Sequence, residues 1–397
     1  MDAAEIKALD EQYVLHTYGR VPLVIERGEG VTLYDTDGNA YLDFVSGIAV
    51  NALGYGDPDV IRAIAEQAGR LMHVSNLYYT IPQARLAKML VEASFADKVY
   101  FSNSGTESVE AAIKFARKWA RTRYGAHKTE FISLSGAFHG RTMGSLALTP
   151  RPHYQDPFLP LMPGAKVGVY NDLDSVEALL DDNTCACIVE PLQGEGGVHP
   201  ADPAFLQGLH DLCRQHDVLL IFDEVQCGLG RTGTLWAHEP YGVTPDIMTL
   251  AKPLGGGLPI GATLVTEAVA GTIEPGDHAG TFAANPVACA AAEVVFGKLS
   301  SPELLEHVRM IGSYIEEGLG DLQSKYDAIT EVRGRGAIWG IEVNVDDVGP
   351  LVDACCDQGL LTLKAGAQVL RLLPPLVVQR EHIDQAIEIL DEAFSRE

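Results

Sequence analysis

From Lys98 to Lys252 the chain repeats one arrangement. A short apolar run is followed by a longer stretch with helical period. KVYFSNSG leads into ESVEAAIKFARKWART, FISLSGAFHG follows, CACIVEP leads through PAFLQGLHDLCRQH to VLLIFDE, and PDIMTLAK closes the series. Short apolar runs without alternation are strands buried on both faces, and the amphipathic stretches between them supply the covering helices. The expected fold is therefore α/β, a large domain built on a mostly parallel sheet. On the N-terminal side, VTLYDTDGNAYLDF reads as a hairpin turning at Asp37-Gly38. Beyond about residue 286 the texture changes. PELLEHVRMIGSYIEEGLGDLQSKY reads as a long helix, ITEVRGRGAIWGIEV as a strand pair, and VGPLVDACCDQG and HIDQAIEILDEAF as two more helices. The expected organisation is a large domain over 50–285, a small α/β domain over 286–397, and an N-terminal segment, 1–49, that joins the small one.

Charge narrows the partners. Asp and Glu number 54 against 29 Lys and Arg, a net charge of −25, and no basic block stands out. A nucleic-acid surface needs clustered cations, and so does docking to anionic lipid, so neither partner is expected. Such acidity keeps a surface solvated and self-repelling, and it also suits a salty habitat. The seven cysteines are scattered, with no CxxC pair, which fits a reducing compartment. The start, MDAAEIKALDEQYV, has no signal-peptide pattern, and the apolar runs fall short of a membrane span. A cytoplasmic protein is expected.

The candidate chemistry lies where strands end, because ligands of open α/β sheets bind at the carboxyl ends of the strands. KVYFS runs into Asn103-Ser104-Gly105-Thr106 and then a helix; Ser104 and Glu107 have capping-box spacing. A helix N-terminus at Gly105 could face its free N–H groups to a phosphate, although an ordinary capped helix accounts for the same residues. VLLIFDE ends in Asp223 and Glu224, and CACIVEP ends in Glu190. Each acid is placed either to meet a ligand or to cap the next segment. PDIMTLAK ends in Lys252, with Gly255, Gly256 and Gly257 just beyond it. Burial at such a point disfavours the ammonium, and a neutral amine attacks carbonyls to give a Schiff base. The glycines would let the backbone turn close to a bulky ligand. Together with Phe138, these groups supply what pyridoxal 5'-phosphate requires: a lysine, an acid for the pyridine nitrogen and an anion site.

GLGRTG, Gly228 to Gly233, matches a dinucleotide fingerprint by letter. That fingerprint must open an amphipathic helix, whereas TLWAHEPYGVTP follows with two prolines. No metal-ligand spacing is present. His139 reads as an ordinary structural histidine.

At this level of detail the chain resembles the class III, ornithine-type aminotransferases of the fold-type I pyridoxal-phosphate superfamily, over nearly its whole length. The residues that carry the resemblance are SNSGTESVEAAIKFAR, AFHGRT, EPLQGEGGV, DEVQCGLGRTG, AKPLGGGLPIGA, TFAANPVACAAA and RGRGAIWGIE. The resemblance implies that Lys252 is the Schiff-base lysine and proton shuttle, and that Asp223 holds the pyridine nitrogen. It implies that Gln226 contacts the ring hydroxyl, Val225 and Phe138 sandwich the ring, and Gly105 and Thr106 bind phosphate. Thr281 would reach the phosphate of a neighbouring subunit, making the enzyme a homodimer with shared sites. Arg141, with Gly280 beside it, would bind the substrate's far carboxylate and Arg371 the α-carboxylate of glutamate. Glu195 would pair with Arg371 when that carboxylate is absent, and Glu190 is a further carboxylate of the site. AFHGRT and LAKPLGGGLPIGA are typical of the branch acting on N-acetylornithine. The implied reaction is transfer of its δ-amino group to 2-oxoglutarate, a step of arginine biosynthesis. Carrier-bound lysine, succinylornithine, ornithine and 4-aminobutyrate remain alternative donors. HAGTFAANP departs from the family's HGSTFGGNP, so Gly280 removes a hydroxyl beside the substrate; Cys227 replaces a Thr or Ser.

Overall fold

The computed structural model describes residues 1–396. Its centre is a seven-stranded sheet. In chain order its strands are β1 (Lys98–Ser102), β2 (Glu130–Leu134), β3 (Ala165–Gly168), β4 (Thr184–Val189), β5 (Leu219–Asp223), β6 (Ile247–Leu250) and β7 (Gly261–Val265). Across the sheet they lie in the order β1-β7-β6-β5-β4-β2-β3. The strands from β3 to β6 pair in parallel, and β7 runs antiparallel to both its neighbours. β4, β5, β6 and β7 are buried at every residue, the pattern of strands covered on both faces.

The 20-residue helix Gly105–Tyr124 packs Val109, Ala112, Phe115, Ala116 and Trp119 on one face of this sheet, against Phe131, Ile188 and Ile221. Helix Pro203–Gln215 covers the other face through Phe205, Leu206 and Leu209, against Val189, Leu220 and Phe222. Side chains alternate across a strand, so Leu220 and Ile221 serve opposite layers. The parallel α/β reading is thus what forms, with one reversed strand.

A second sheet comprises β8 (Ile329–Arg335), β9 (Ile338–Val343), β10 (Leu363–Lys364) and β11 (Val369–Leu372), in the order β8-β9-β11-β10, all antiparallel. Helices Pro302–Lys325 and Arg380–Phe394 pack beside it. The hairpin expected at Asp37-Gly38 joins Thr32–Asp35 to Ala40–Asp43. Leu360–Leu361 adds to its edge in parallel, so the two ends of the chain share a small four-stranded sheet. No helix among the described residues is long and apolar enough to cross a membrane.

GLGRTG is a joint rather than a nucleotide loop. Arg231 is 1% exposed and donates through one nitrogen to the carbonyls of Ala337 and Pro374, beside the second sheet.

Candidate active site

Carboxyl ends of the central strands open into a cavity of about 410 Å³. Lys252 enters it at the end of β6, on the short turn Lys252–Gly255. The three glycines divide their work. Gly256 is left-handed, and a Cβ there would stand 2.8 Å from Val295 Cγ2; one on Gly255 would stand 2.8 Å from Ile260 Cγ2. Those two make room for the protein's own packing, and only Gly257, with φ of 109°, lines the cavity. Burial pulls the Lys252 ammonium below its ordinary value and the Arg371 charge adds to this, against Glu195, Asp223 and Glu190.

The two acids after β5 separate. Asp223 lines the cavity and accepts from the Thr249 hydroxyl and the Val225 N–H, each at 3.1 Å. Its other oxygen meets His139 Nδ1 at 2.7 Å, and both residues are buried. A carboxylate only accepts, so Nδ1 carries the proton of this pair. Glu224 turns away and accepts from the Ala237 and His238 N–H groups and from the His238 ring. His139, read from sequence as an ordinary structural histidine, is therefore part of the site's framework. No spacing signals this, because the partner lies 84 residues away.

At the N-terminus of helix Gly105–Tyr124, Ser104 caps the Glu107 N–H at 3.3 Å. The Glu107 carboxylate does not complete the expected box on Ser104. It accepts instead from the N–H (2.7 Å) and side-chain amide (2.8 Å) of Asn103. The backbone N–H groups of Gly105 and Thr106, first in the helix, have no intrahelical acceptors and border the cavity. The Thr106 hydroxyl contacts those of Thr142 (2.8 Å) and Ser145 (2.7 Å), and Glu110 holds the Gly144 and Ser145 N–H groups. Sequence reasoning did not find this hydroxyl cluster, which fastens the loop after Phe138 to the helix.

Phe138, Arg141, Glu190, Val225 and Gln226 also line the cavity. Glu190 accepts the Phe138 N–H at 3.2 Å, and burial pushes its carboxyl up to about 7. The Arg141 guanidinium lies 3.4 Å from the centre of the Tyr154 ring and 5.5 Å from that of Phe138. On the far side, Arg371 of β11 donates to Glu195 at 2.8 Å and to Gln226 at 3.1 Å, while Gln226 donates to Glu195 at 3.2 Å. Burial raises Glu195, but the charges of Arg371 and Lys252 outweigh it and hold the carboxyl at about 2. Gly280 and Thr281 lie elsewhere, lining a second cavity of about 440 Å³ with Asn76, Leu77 and Tyr100.

A strand-end lysine lining the cavity, a carboxylate held by a histidine and a helix N-terminus, set together on this sheet, are the groups that a fold-type I pyridoxal-phosphate-dependent transferase uses. The chain belongs to the family Aminotransferase class-III, whose model matches residues 13–394. It is 52% identical to the mitochondrial acetylornithine aminotransferase of Alnus glutinosa, over 97% of this chain and 86% of that one. It is 48% identical to the acetylornithine aminotransferase of Methanocaldococcus jannaschii, over 98% and 97%. The solved N-acetylornithine aminotransferase of Stenotrophomonas maltophilia superposes with a TM-score of 0.85 at 38% identity, covering 98% of each chain. The protein is thus an aminotransferase, of a family that depends on pyridoxal phosphate.

Proposed function

We propose that this enzyme moves the δ-amino group of N-acetylornithine to 2-oxoglutarate, giving N-acetylglutamate 5-semialdehyde and glutamate, with pyridoxal 5'-phosphate held at Lys252. The residues present fit that cofactor. The Gly105 and Thr106 N–H groups offer an anion seat at a helix N-terminus. A Cβ on Gly105 would fall 2.7 Å from Val225 Cγ1, so the glycine keeps Val225 close to that seat. Asp223, braced by His139 and Thr249, would meet the pyridine nitrogen, Val225 and Phe138 would flank the ring, and Gln226 would contact its hydroxyl. When bound, the cofactor supplies a carbonyl for amine exchange and an electron sink for the proton shift. Lys252, whose ammonium burial disfavours, would carry the proton to and from the carbon that bears the transferred nitrogen.

The observation that carries the substrate reading is the closed Glu195–Arg371 pair. With Arg371 covered, Arg141 is the guanidinium left open to the cavity among the described residues. That state suits a donor with one free carboxylate, remote from the reacting carbon, as in N-acetylornithine. Glutamate carries a second carboxylate on its reacting carbon, and Arg371 is freed for it when Glu195 swings aside. The similarity to two acetylornithine aminotransferases supports the same donor.

The working form we take to be a homodimer. Met72, Leu77, Tyr78, Tyr79 and Phe282 are exposed apolar side chains near the cavity of Gly280 and Thr281. Thr281 would act there on the phosphate of the neighbouring subunit. A cytoplasmic setting fits the seven unpaired thiols.

Single-turnover absorbance with N-acetylornithine, succinylornithine, ornithine, carrier-bound lysine and 4-aminobutyrate tests the donor. N-acetylornithine should react fastest, and a rival faster by about tenfold in kcat/KM overturns the assignment. Borohydride trapping followed by peptide mapping should place the cofactor on Lys252; an adduct on another lysine removes the basis of the reading.

A further inference from the structure

The loop Gln193–Val198 carries Glu195 and packs closely against its neighbours. The Gln193 amide donates to Ser135 O at 2.9 Å. A Cβ on Gly194 would lie 1.7 Å from Gln226 Oε1, and one on Gly196 would lie 2.5 Å from Gly136 O. Val198 is fully buried, and a Cβ on Gly340 would stand 3.0 Å from its Cβ, so the loop rests on β9 where that strand has no side chain.

The second sheet grips this loop with two arginines. In β8-β9-β11, Arg333 pairs with Gly340 and Gly340 pairs with Arg371. Residues directly opposite one another in antiparallel strands point to the same face. The two guanidiniums therefore flank the glycine on one face and reach the same loop. Arg371 takes Glu195, and Arg333, 8% exposed, donates from Nε to the carbonyl of Gly197 at 2.8 Å. Glu331 at 2.6 Å and Glu342 accept from a terminal nitrogen of Arg333, which fixes its direction.

We infer that Arg333 is a positioning residue that sets how firmly Glu195 closes on Arg371, and so divides the enzyme's capacity between donors with one carboxylate and donors with two. This rests on the reading of Glu195 as the cover of Arg371. Arg333 touches neither substrate nor cofactor. It holds the loop two residues beyond Glu195, in the place from which the Glu195 carboxylate meets Arg371. Loosening that hold lowers the population of the closed pair, which lowers the cost for an incoming carboxylate that needs Arg371.

Glutarate tests this. It has the carbon chain and both carboxylates of glutamate but no amine to react, so its binding to the holoenzyme by calorimetry reads access to Arg371. Arg333→Gln should bind glutarate about fivefold more tightly than the parent and lose a similar factor in the N-acetylornithine half-reaction. Arg333→Lys, which keeps a cation and one donor, should fall between the two and guards against a variant that fails to fold. Damage of a merely structural kind would weaken glutarate and slow both half-reactions together, and that result, or unchanged glutarate affinity, overturns the inference. Glu195→Gln separates the layers. If it tightens glutarate and Arg333→Gln does not, only the role of Arg333 falls; if Glu195→Gln leaves glutarate unchanged, the cover itself is wrong and the inference falls with it.

Discussion

His139 Nδ1 lies 2.7 Å from Asp223 Oδ2 in a setting where His139 is 2% exposed and Asp223 3%. A charge-assisted hydrogen bond between buried groups is worth more than its surface counterpart, and losing one partner strands the other. His139→Ala should cost about 2 kcal/mol in urea unfolding and lower kcat/KM by more than the folded fraction explains. His139→Gln, which can still donate, should recover part of both. Full activity in His139→Ala would mean that Asp223 needs no brace.

Glu190 yields a pH signature. Burial raises its folded pKa to about 7, above the ordinary carboxylate range. Below about pH 4.5 the carboxyl is protonated in both folded and unfolded chains, and its contribution is fully present; as pH rises through 7 the unfolded chain ionises first and that contribution is lost, by about 3 kcal/mol. Glu190→Gln does not titrate and keeps an oxygen for the Phe138 N–H. The cofactor-free variant should therefore melt at a higher temperature than the parent near pH 8 and alongside it near pH 4.5. Parallel melting curves at both values would show that Glu190 ionises freely.

Gly105 and Val225 form a steric pair. Gly105→Ala would bring a methyl to 2.7 Å from Val225 Cγ1. Overpacking of this kind costs about 1–3 kcal/mol, so cofactor affinity should fall about tenfold or more. Val225→Ala in the same chain should restore part of it, and the coupling is read from a double-mutant cycle on pyridoxal-phosphate binding. Additive effects would place the two residues in separate parts of the cavity.

Tyr154 lies under Arg141, its ring centre 3.4 Å from the guanidinium carbon. A cation over an aromatic face gains about 0.5–2 kcal/mol and, more to the purpose, acquires an orientation. Tyr154→Leu should raise KM for N-acetylornithine and glutamate alike by about three- to tenfold, with kcat little changed. A selective effect on one substrate would show that only that substrate uses Arg141.

Lys252 and the acid pair Asp223-Glu224 could be read from the sequence because buried strands show as apolar runs and their carboxyl ends face one crevice. The same reasoning could not tell Asp223 from Glu224, since the choice between them is made by the segment at Ala237 and His238 that one of them holds. The Glu195–Arg371 contact spans 176 residues, and only resemblance to a family joined them in advance. His139, Tyr154 and the hydroxyl cluster around Thr106 had no signal, because each depends on how one loop lies against another. The reversed β7 was hidden for a related reason, as a fully buried run has the same texture in either direction.

Arg231 bears on how the enzyme can move. Its guanidinium is sealed from water, and one of its nitrogens, Nη1, donates to the carbonyls of Ala337 and Pro374. Parting the central sheet from the second one at this seam would unmake those bonds and leave a cation among unpaired carbonyls, before any solvent arrived to replace them. A hinge here would be an expensive one. The two halves should travel as a single rigid body, so admission and discharge of substrates fall to individual side chains at the cavity wall, not to the swing of one domain over another.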